Sequence, residues 1–312
     1  MTEGLERLLE RLGWQLVSEA PIVGGYAAQL TRLTLRREDG GQVAAVYKKF
    51  DSQRVQELAL YRDILHAVPH AVPKLYGTVQ EADEQGILIE AAGSVAKSLF
   101  QKADLAGKKR MLQAMVEMLA ALHVSLAPQS EEWLQAGLAS AYPFHSSVQW
   151  GEDALRELAG LAEEGLAGVT AEMVAEMREI VARFYPRYPE LMRGRATFTH
   201  GDPHLENILL DEGRYRLIDW EWACVAPPQR DLTILLQDVL EDELHEYALE
   251  VFRNDWVVDD ASFHACLLDN TLMMLGWEIY KYRSGHLSLA ELELIVEAKV
   301  RWIRRSYQKA TF

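Results

Sequence analysis

The stretch Thr199-His-Gly-Asp-Pro-His-Leu-Glu-Asn207, followed by Ile208-Leu-Leu-Asp-Glu-Gly-Arg-Tyr-Arg-Leu-Ile-Asp-Trp-Glu221, decides the reading of this sequence. Asp202 falls on a tight loop after a short strand, with Asn207 five residues on. Two apolar runs, Ile208–Leu210 and Tyr215–Ile218, flank the turn Asp211–Gly213 and predict a hairpin. Its second strand ends on Asp219, and folding back returns that residue towards Asn207. Two carboxylates and an amide oxygen then converge. Such hard oxygen donors suit Mg²⁺, which takes a few protein oxygens and completes its shell with phosphate and water.

The residues before this stretch predict a small sheet with helices. Leu5, Leu8, Leu9 and Leu12 recur at helical spacing over residues 3–12. Pro21–Tyr26 reads as a turn. Gln29–Arg36 and Val43–Phe50 read as strands joined at Glu38-Asp-Gly-Gly41. A helix is expected over Gln53–His66, ended by Pro69 and Pro73, and a second strand pair over Leu75–Gln80 and Gly86–Glu90. After Gly93 helical periodicity dominates, over 108–126, 152–166, 170–186, 241–253, 261–283 and 288–308. The β-rich Thr197–Leu217 interrupts it. The reading is an α+β chain of two lobes, with residues 1–93 small and β-rich, 94–312 larger and mainly helical, and a hinge near 90–94.

The quoted segments resemble the aminoglycoside phosphotransferase and choline kinase family, which has a protein-kinase-like fold. The resemblance lies in His200-Gly201-Asp202, His204 and Asn207, and in Ile218-Asp219-Trp220-Glu221, where IDxE stands in place of a kinase DFG. It implies that Asp202 is the catalytic carboxylate and that Asn207 and Asp219 are metal ligands. Mg²⁺ with ATP as co-substrate is implied, GTP remaining open. His200 and His204 would brace the loop, and Asp231 of Arg230-Asp-Leu232 would anchor its backbone or cap the helix starting at Leu232. A phosphate-binding lysine is expected in Ala45-Val-Tyr-Lys-Lys-Phe50: the family pattern favours Lys48, with Lys49 the competitor. Glu57 would orient it. Gly24 and Gly25 would cover the phosphates, although no G-x-G-x-x-G is present. Glu90 and Ala92 fall where hinge backbone groups read the adenine edge. His123 reads as structural.

The 312 residues carry a net charge of −15, with −3 in residues 1–90 and −12 beyond. This argues against a nucleic-acid polymer or an anionic membrane as partner. In the late region Trp256, Asp259, Asp260, Asp269, Trp277, Glu278, Tyr280 and Tyr282 mix acids with aromatics, which suits a cationic or polyhydroxylated acceptor. Glu221, Trp277 and Glu278 are its candidate contacts. The basic run Lys299–Arg305 is expected to pack Trp302 and Ile303 while its cations reach solvent. Cys224 and Cys266 form no CxxC or zinc pattern. The acidic, amphipathic start resembles no signal peptide, and no apolar run reaches ~18 residues. A cytoplasmic enzyme is expected, of unreadable oligomeric state.

The function implied is phosphoryl transfer to a hydroxyl of a small molecule: an aminoglycoside-like antibiotic, a choline-like alcohol or a sugar. The alternatives are a protein-directed kinase and a nucleotide-binding pseudokinase scaffold. The missing Ala-Pro-Glu segment disfavours the first, and the joint presence of Lys48, Asp202, Asn207 and Asp219 disfavours the second.

Overall fold

The computed structural model describes residues 1–22, 28–51 and 56–311. Helix α1 (Glu3–Leu12) ends at Gly13, whose left-handed φ of 68° closes the helix. Strands β1 (Gln15–Pro21), β2 (Ala28–Arg36) and β3 (Gln42–Phe50) follow, then α2 (Gln56–Asp63), β4 (Leu75–Gln80) and β5 (Gln85–Glu90). They form one antiparallel sheet in the order β1-β2-β3-β5-β4. Strand β1 lies where the sequence predicts no element and ends on Pro21, the first residue of the expected turn, of which residues 23–26 lie outside the described residues. Alternation in β3 is partly overridden, since Tyr47 and Lys48 are both buried. Tyr47 faces α1, packing with Leu5, Leu8, Leu9, Leu33 and Leu35. Lys48 points to the opposite side, towards α2.

Beyond the sheet come β6 (Ser94–Val95), α3 (Ala96–Lys102), α4 (Leu105–Gln135), α5 (Phe144–Glu164), α6 (Ala171–Phe184) and α7 (Tyr188–Leu191). Strand β7 (Thr197–Thr199), the hairpin β8 (Ile208–Asp211) and β9 (Arg214–Leu217), and β10 (Cys224–Ala226) form two small sheets, with β6 on β8 and β7 on β10. Helices α8 (Gln229–Leu235), α9 (Asp242–Phe252), α10 (Asp260–Arg283) and α11 (Leu289–Thr311) complete the chain. Helix α4 extends well past the expected 108–126 and carries Pro128 within it. By length and composition alone α4 is long and apolar enough to cross a membrane. Its apolar face, including Leu112, Met115, Val116, Leu119 and Leu126, is buried in the core instead. That core joins the lobes: Phe50, Leu58, Ile87 and Ile89 pack in one cluster with Leu119, Phe198, Leu217 and Trp220.

The basic run in α11 departs from expectation most at Lys299. Lys299 is buried and donates to the Gln237 side-chain oxygen at 2.9 Å. Burial lowers its pKa to about 8, against the pull of Glu278 and Asp238. Arg301 and Arg304 do reach solvent, where they pair with Asp242 and Glu176.

Two buried histidines set an acid limit. His245 contacts the Val239 carbonyl at 2.7 Å, and His264 lies 3.4 Å from the Ser306 hydroxyl. Burial lowers both pKa values from 6.5 to about 4. The unfolded chain therefore binds protons that the native one refuses. Their contribution is complete above pH 6.5 and is lost as the pH falls towards 4. Urea unfolding is expected to lose about 2 kcal/mol per histidine between pH 7 and 4.5. A flat profile over that range would contradict the assignment.

Candidate active site

The loop after β7 is held at both ends by carboxylates. Gly201 has φ +83°, and a Cβ there would lie 2.0 Å from the Trp222 carbonyl oxygen, so only glycine fits. Asp231, fully buried, accepts the His200 N–H at 2.8 Å and the Gly201 N–H at 2.9 Å. His123 Nε2 lies 2.8 Å from the same carboxylate. Burial opposes the charge on Asp231, but these partners outweigh it and hold its pKa below the usual range. It does not cap its helix, because α8 begins two residues earlier, at Gln229. Asp238 accepts the Leu205 N–H at 2.8 Å and faces Lys97 at 3.4 Å. Sequence reasoning missed Asp238. The available signal was its offset of seven residues from Asp231, about two helical turns, which puts both on one face.

Asp202 stands on this loop. Its N–H donates to His200 Nδ1 at 3.2 Å, and His200 Nε2 meets the Ile218 carbonyl at 2.9 Å. That pattern requires the proton on Nε2. Burial lowers the His200 pKa to about 4 and keeps the ring neutral. Asn207 Nδ2 donates to the Asp202 carbonyl at 3.0 Å and to Asp202 Oδ2 at 3.3 Å, while His204 Nε2 lies 3.5 Å from that oxygen. Desolvation, then the negative charges of Asp219, Asp238 and Glu221, push the Asp202 pKa well above the usual carboxylate range.

The hairpin delivers Asp219 as the sequence predicts. Its strands pair from Ile208↔Leu217 to Asp211↔Arg214, and the Ile218 N–H donates to the Asn207 carbonyl at 3.0 Å. Asp219 has φ +67°, a left-handed conformation costing about 1–3 kcal/mol in a non-glycine residue. Lys48 Nζ lies 2.5 Å from Glu57 Oε2 and 2.6 Å from Asp219 Oδ1. The Trp220 backbone N–H also reaches the Glu57 carboxylate. Burial works against the ammonium, but the two carboxylates win and raise the Lys48 pKa. Lys48 is thus the lysine that meets both acids; Lys49 lies on the other face, where it acts on Glu84.

The donor set fits a cation that needs few protein ligands. Asn207 gives its amide nitrogen to Asp202, which directs Oδ1 elsewhere, and Asp219 has its second carboxylate oxygen beyond the one on Lys48. Among the described residues no three His, Cys, Asp or Glu side chains close into a metal cage. A hard cation completing its shell with phosphate oxygens matches this arrangement; a structural zinc site does not.

Other expected site residues are scattered. Gly24 and Gly25 lie outside the described residues. The Ala92 N–H donates to the Glu90 carbonyl at 3.1 Å, and the Glu90 side chain turns to Arg216. Four members of the acid-and-aromatic group belong to the scaffold. Trp256 packs in the core beside His123, Asp259 caps α10 through the Ser262 N–H, and Asp260 pairs with Arg253. Asp269 is buried, bonded to Arg230 at 2.7 Å and to Tyr142, Tyr185 and Tyr188 at 2.9–3.1 Å. Glu278 pairs with Lys281 at 3.2 Å, and Trp277 stacks on Tyr280 with centroids 5.2 Å apart. Glu221 bears on Asp202 through its charge.

A sheet lobe carrying a lysine–glutamate pair, packed on a helical lobe carrying an Asp–Asn loop and a second Asp, defines a kinase-like phosphotransferase. The chain belongs to the phosphotransferase enzyme family, whose model matches residues 25–263. It is therefore a phosphotransferase. Solved structures share the fold at low identity. The GDP complex of aminoglycoside 2'-phosphotransferase-IIIa is 12% identical, covering 98% of this chain and 99% of that one, with a TM-score of 0.64. Choline kinase LicA from Streptococcus pneumoniae is 17% identical over 98% and 96%, with a TM-score of 0.57. Amicoumacin kinase hAmiN, in complex with AMP-PNP, Ca²⁺ and Ami, is 13% identical over 98% and 94%, with a TM-score of 0.63. Protein StrN of Streptomyces griseus is 35% identical over 102 residues, which span 30% of this chain and about a third (32%) of that relative.

Replacing Asp231 by Asn tests the loop anchor. One carboxylate oxygen becomes an N–H donor facing groups that already donate, in a fully buried position. A loss of about 3 kcal/mol is expected in urea unfolding, together with collapse of turnover. Wild-type stability in Asp231→Asn would contradict the anchoring role.

Proposed function

We propose that the enzyme transfers the γ-phosphate of a nucleoside triphosphate, ATP in the first instance, to a hydroxyl of a small acceptor, with Asp202 as the base. The observation that carries this reading is the convergence of Lys48, Glu57 and Asp219 beside the Asp202–Asn207 loop. Lys48, fixed between two carboxylates, offers its ammonium to phosphate oxygens. Asn207 and Asp219 would hold Mg²⁺, which when bound neutralises charge on the phosphates. Asp202, its Oδ2 steered by Asn207 and His204, accepts the proton as the acceptor oxygen bonds to phosphorus. Transfer is in line, so positioning and charge stabilisation supply most of the rate. Glu90 and Ala92 supply the backbone groups that read the base, once their mutual contact opens.

A small-molecule acceptor is favoured over a protein by the short connection from Asp219 to Asp231, which contains only β10 and the start of α8. The acceptor we favour is cationic or polyhydroxylated, with Glu221, Trp277 and Glu278 as candidate contacts. This is narrower support than the sequence suggested, because Asp259, Asp260, Asp269 and Trp256 are engaged in the scaffold. The net charge of −15 still favours a cation over an anion.

Asp202→Asn is expected to lower kcat by about 10²–10⁴-fold, measured as ADP release against a panel of aminoglycosides, macrolides, choline, ethanolamine and sugars. Mg-ATP affinity should stay within a few fold of wild type. Asp219→Ala should instead lose Mg-dependent nucleotide binding. Near-wild-type turnover in Asp202→Asn would remove it from the base role.

A further inference from the structure

The hinge contains an ion pair that nucleotide reading by backbone groups does not require. Glu90, the last residue of β5, lies beside the segment that would meet the adenine edge. Its carboxylate contacts Arg216 Nη1 and accepts the Lys74 N–H at 3.3 Å. Arg216 sits on β9, three residues before Asp219, and its Nη2 lies 3.1 Å from Asp211 Oδ2 across the hairpin. The arginine side chain is only 17% exposed and that of Glu90 32% exposed, so the pair is shielded more than an ordinary surface bridge.

Backbone contacts run beside it. Ser94 and Val95, just past the hinge, pair with Leu210 and Leu209 of β8. Gly93 adopts φ +47°, and a Cβ there would lie 2.1 Å from the Leu210 carbonyl oxygen, so the chain presses directly on the hairpin. On the other side the Leu217 N–H donates to the Ala71 carbonyl at 2.7 Å. The hairpin that carries Asp219 is therefore fastened to the strand that carries the hinge.

We propose that Glu90–Arg216 is a hinge brace: Arg216 is a positioning residue that fixes the distance between the adenine-reading backbone and Asp219. An arginine suits this use. Its planar fork grips Glu90 with one nitrogen and Asp211 with the other, tying two strands at once, where a lysine offers a single point charge. A nucleotide bridges the same two ends, with its base at the hinge and its phosphates at Asp219 and Lys48. The brace sets that span before binding and so removes an ordering cost from nucleotide affinity. It depends on the phosphotransfer reading of the cleft given above.

The test is Mg-ADP binding by titration calorimetry on the full chain, for wild type, Glu90→Gln, Arg216→Gln, Arg216→Lys and the Glu90→Gln/Arg216→Gln double variant. Each Gln variant is expected to weaken Mg-ADP binding about five- to tenfold, and the double variant no more than either single one. Arg216→Lys should recover part of the loss. Melting temperatures without nucleotide should stay close to wild type, whereas the shift produced by Mg-ADP should shrink, a split that a purely structural pair would not give. Glu90→Gln is nearly isosteric, so it serves should Arg216→Gln fail to fold. Wild-type affinity in Glu90→Gln, or losses that multiply in the double variant, overturn the brace. A wild-type protein that binds no Mg-ADP overturns the phosphotransfer reading itself, and the brace with it.

Discussion

The structure turns on one buried cation. Lys48, on the third strand of the sheet, is held between Glu57 from the small lobe and Asp219 from the large one. Lys48 and Glu57 are removed from water while Asp219 closes the pair from the cleft side, and such a buried pair is tolerable only when its geometry is complete, since an unpaired member would cost several kcal/mol. The triad therefore demands that the α2 helix, the sheet and the β8–β9 hairpin hold fixed relative positions. The shared apolar core and the Trp220 contact to Glu57 meet that demand. Phosphate oxygens entering the cleft would find an ammonium already desolvated and aimed, which is where preorganised electrostatics give the most.

Around the triad the large lobe acts as a rigid mount for one loop. Asp231 and Asp238 grip its two ends from one face of a helical segment, and His123 reaches Asp231 from α4. Behind them, Arg230 ties α8 to α10 through Asp269, with the Tyr142 ring 3.7 Å from the guanidinium. The positive φ of Asp219 persists because β8–β9 pairing and the Ile218–Asn207 bond leave the chain no easier path. Local strain supported by over-determined surroundings is a pattern that functional sites share, and it agrees with the metal-holding role proposed for Asp219.

Much of this was legible because the chemistry is encoded over short distances. Asp202, Asn207 and Asp219 lie within one loop and one hairpin, so spacing alone predicted their convergence. What escaped was set by partners far along the chain. Strand β1 is exposed along nearly its whole length and lacks alternation; its register comes from β2. Lys299 reads as a solvated charge in a basic run, yet Gln237 and the acids near it draw it inside. Asp269 reads as an open acid beside aromatics, yet Arg230, 39 residues earlier, and three tyrosines enclose it. In each case tertiary contact overrode the local pattern. The acceptor is the least legible element, because half of the acids and aromatics that suggested a cation belong to the scaffold.

The most direct measurement is the fate of labelled phosphate. Purified enzyme, γ-³²P-ATP, Mg²⁺ and a pooled set of hydroxyl acceptors would be incubated, and products separated into protein, inorganic phosphate and small-molecule fractions. The account predicts cation-dependent label in a small-molecule phosphate ester and none on the protein. Label recovered on protein, or ATP left intact with every acceptor class while Mg-ATP binds, would contradict it.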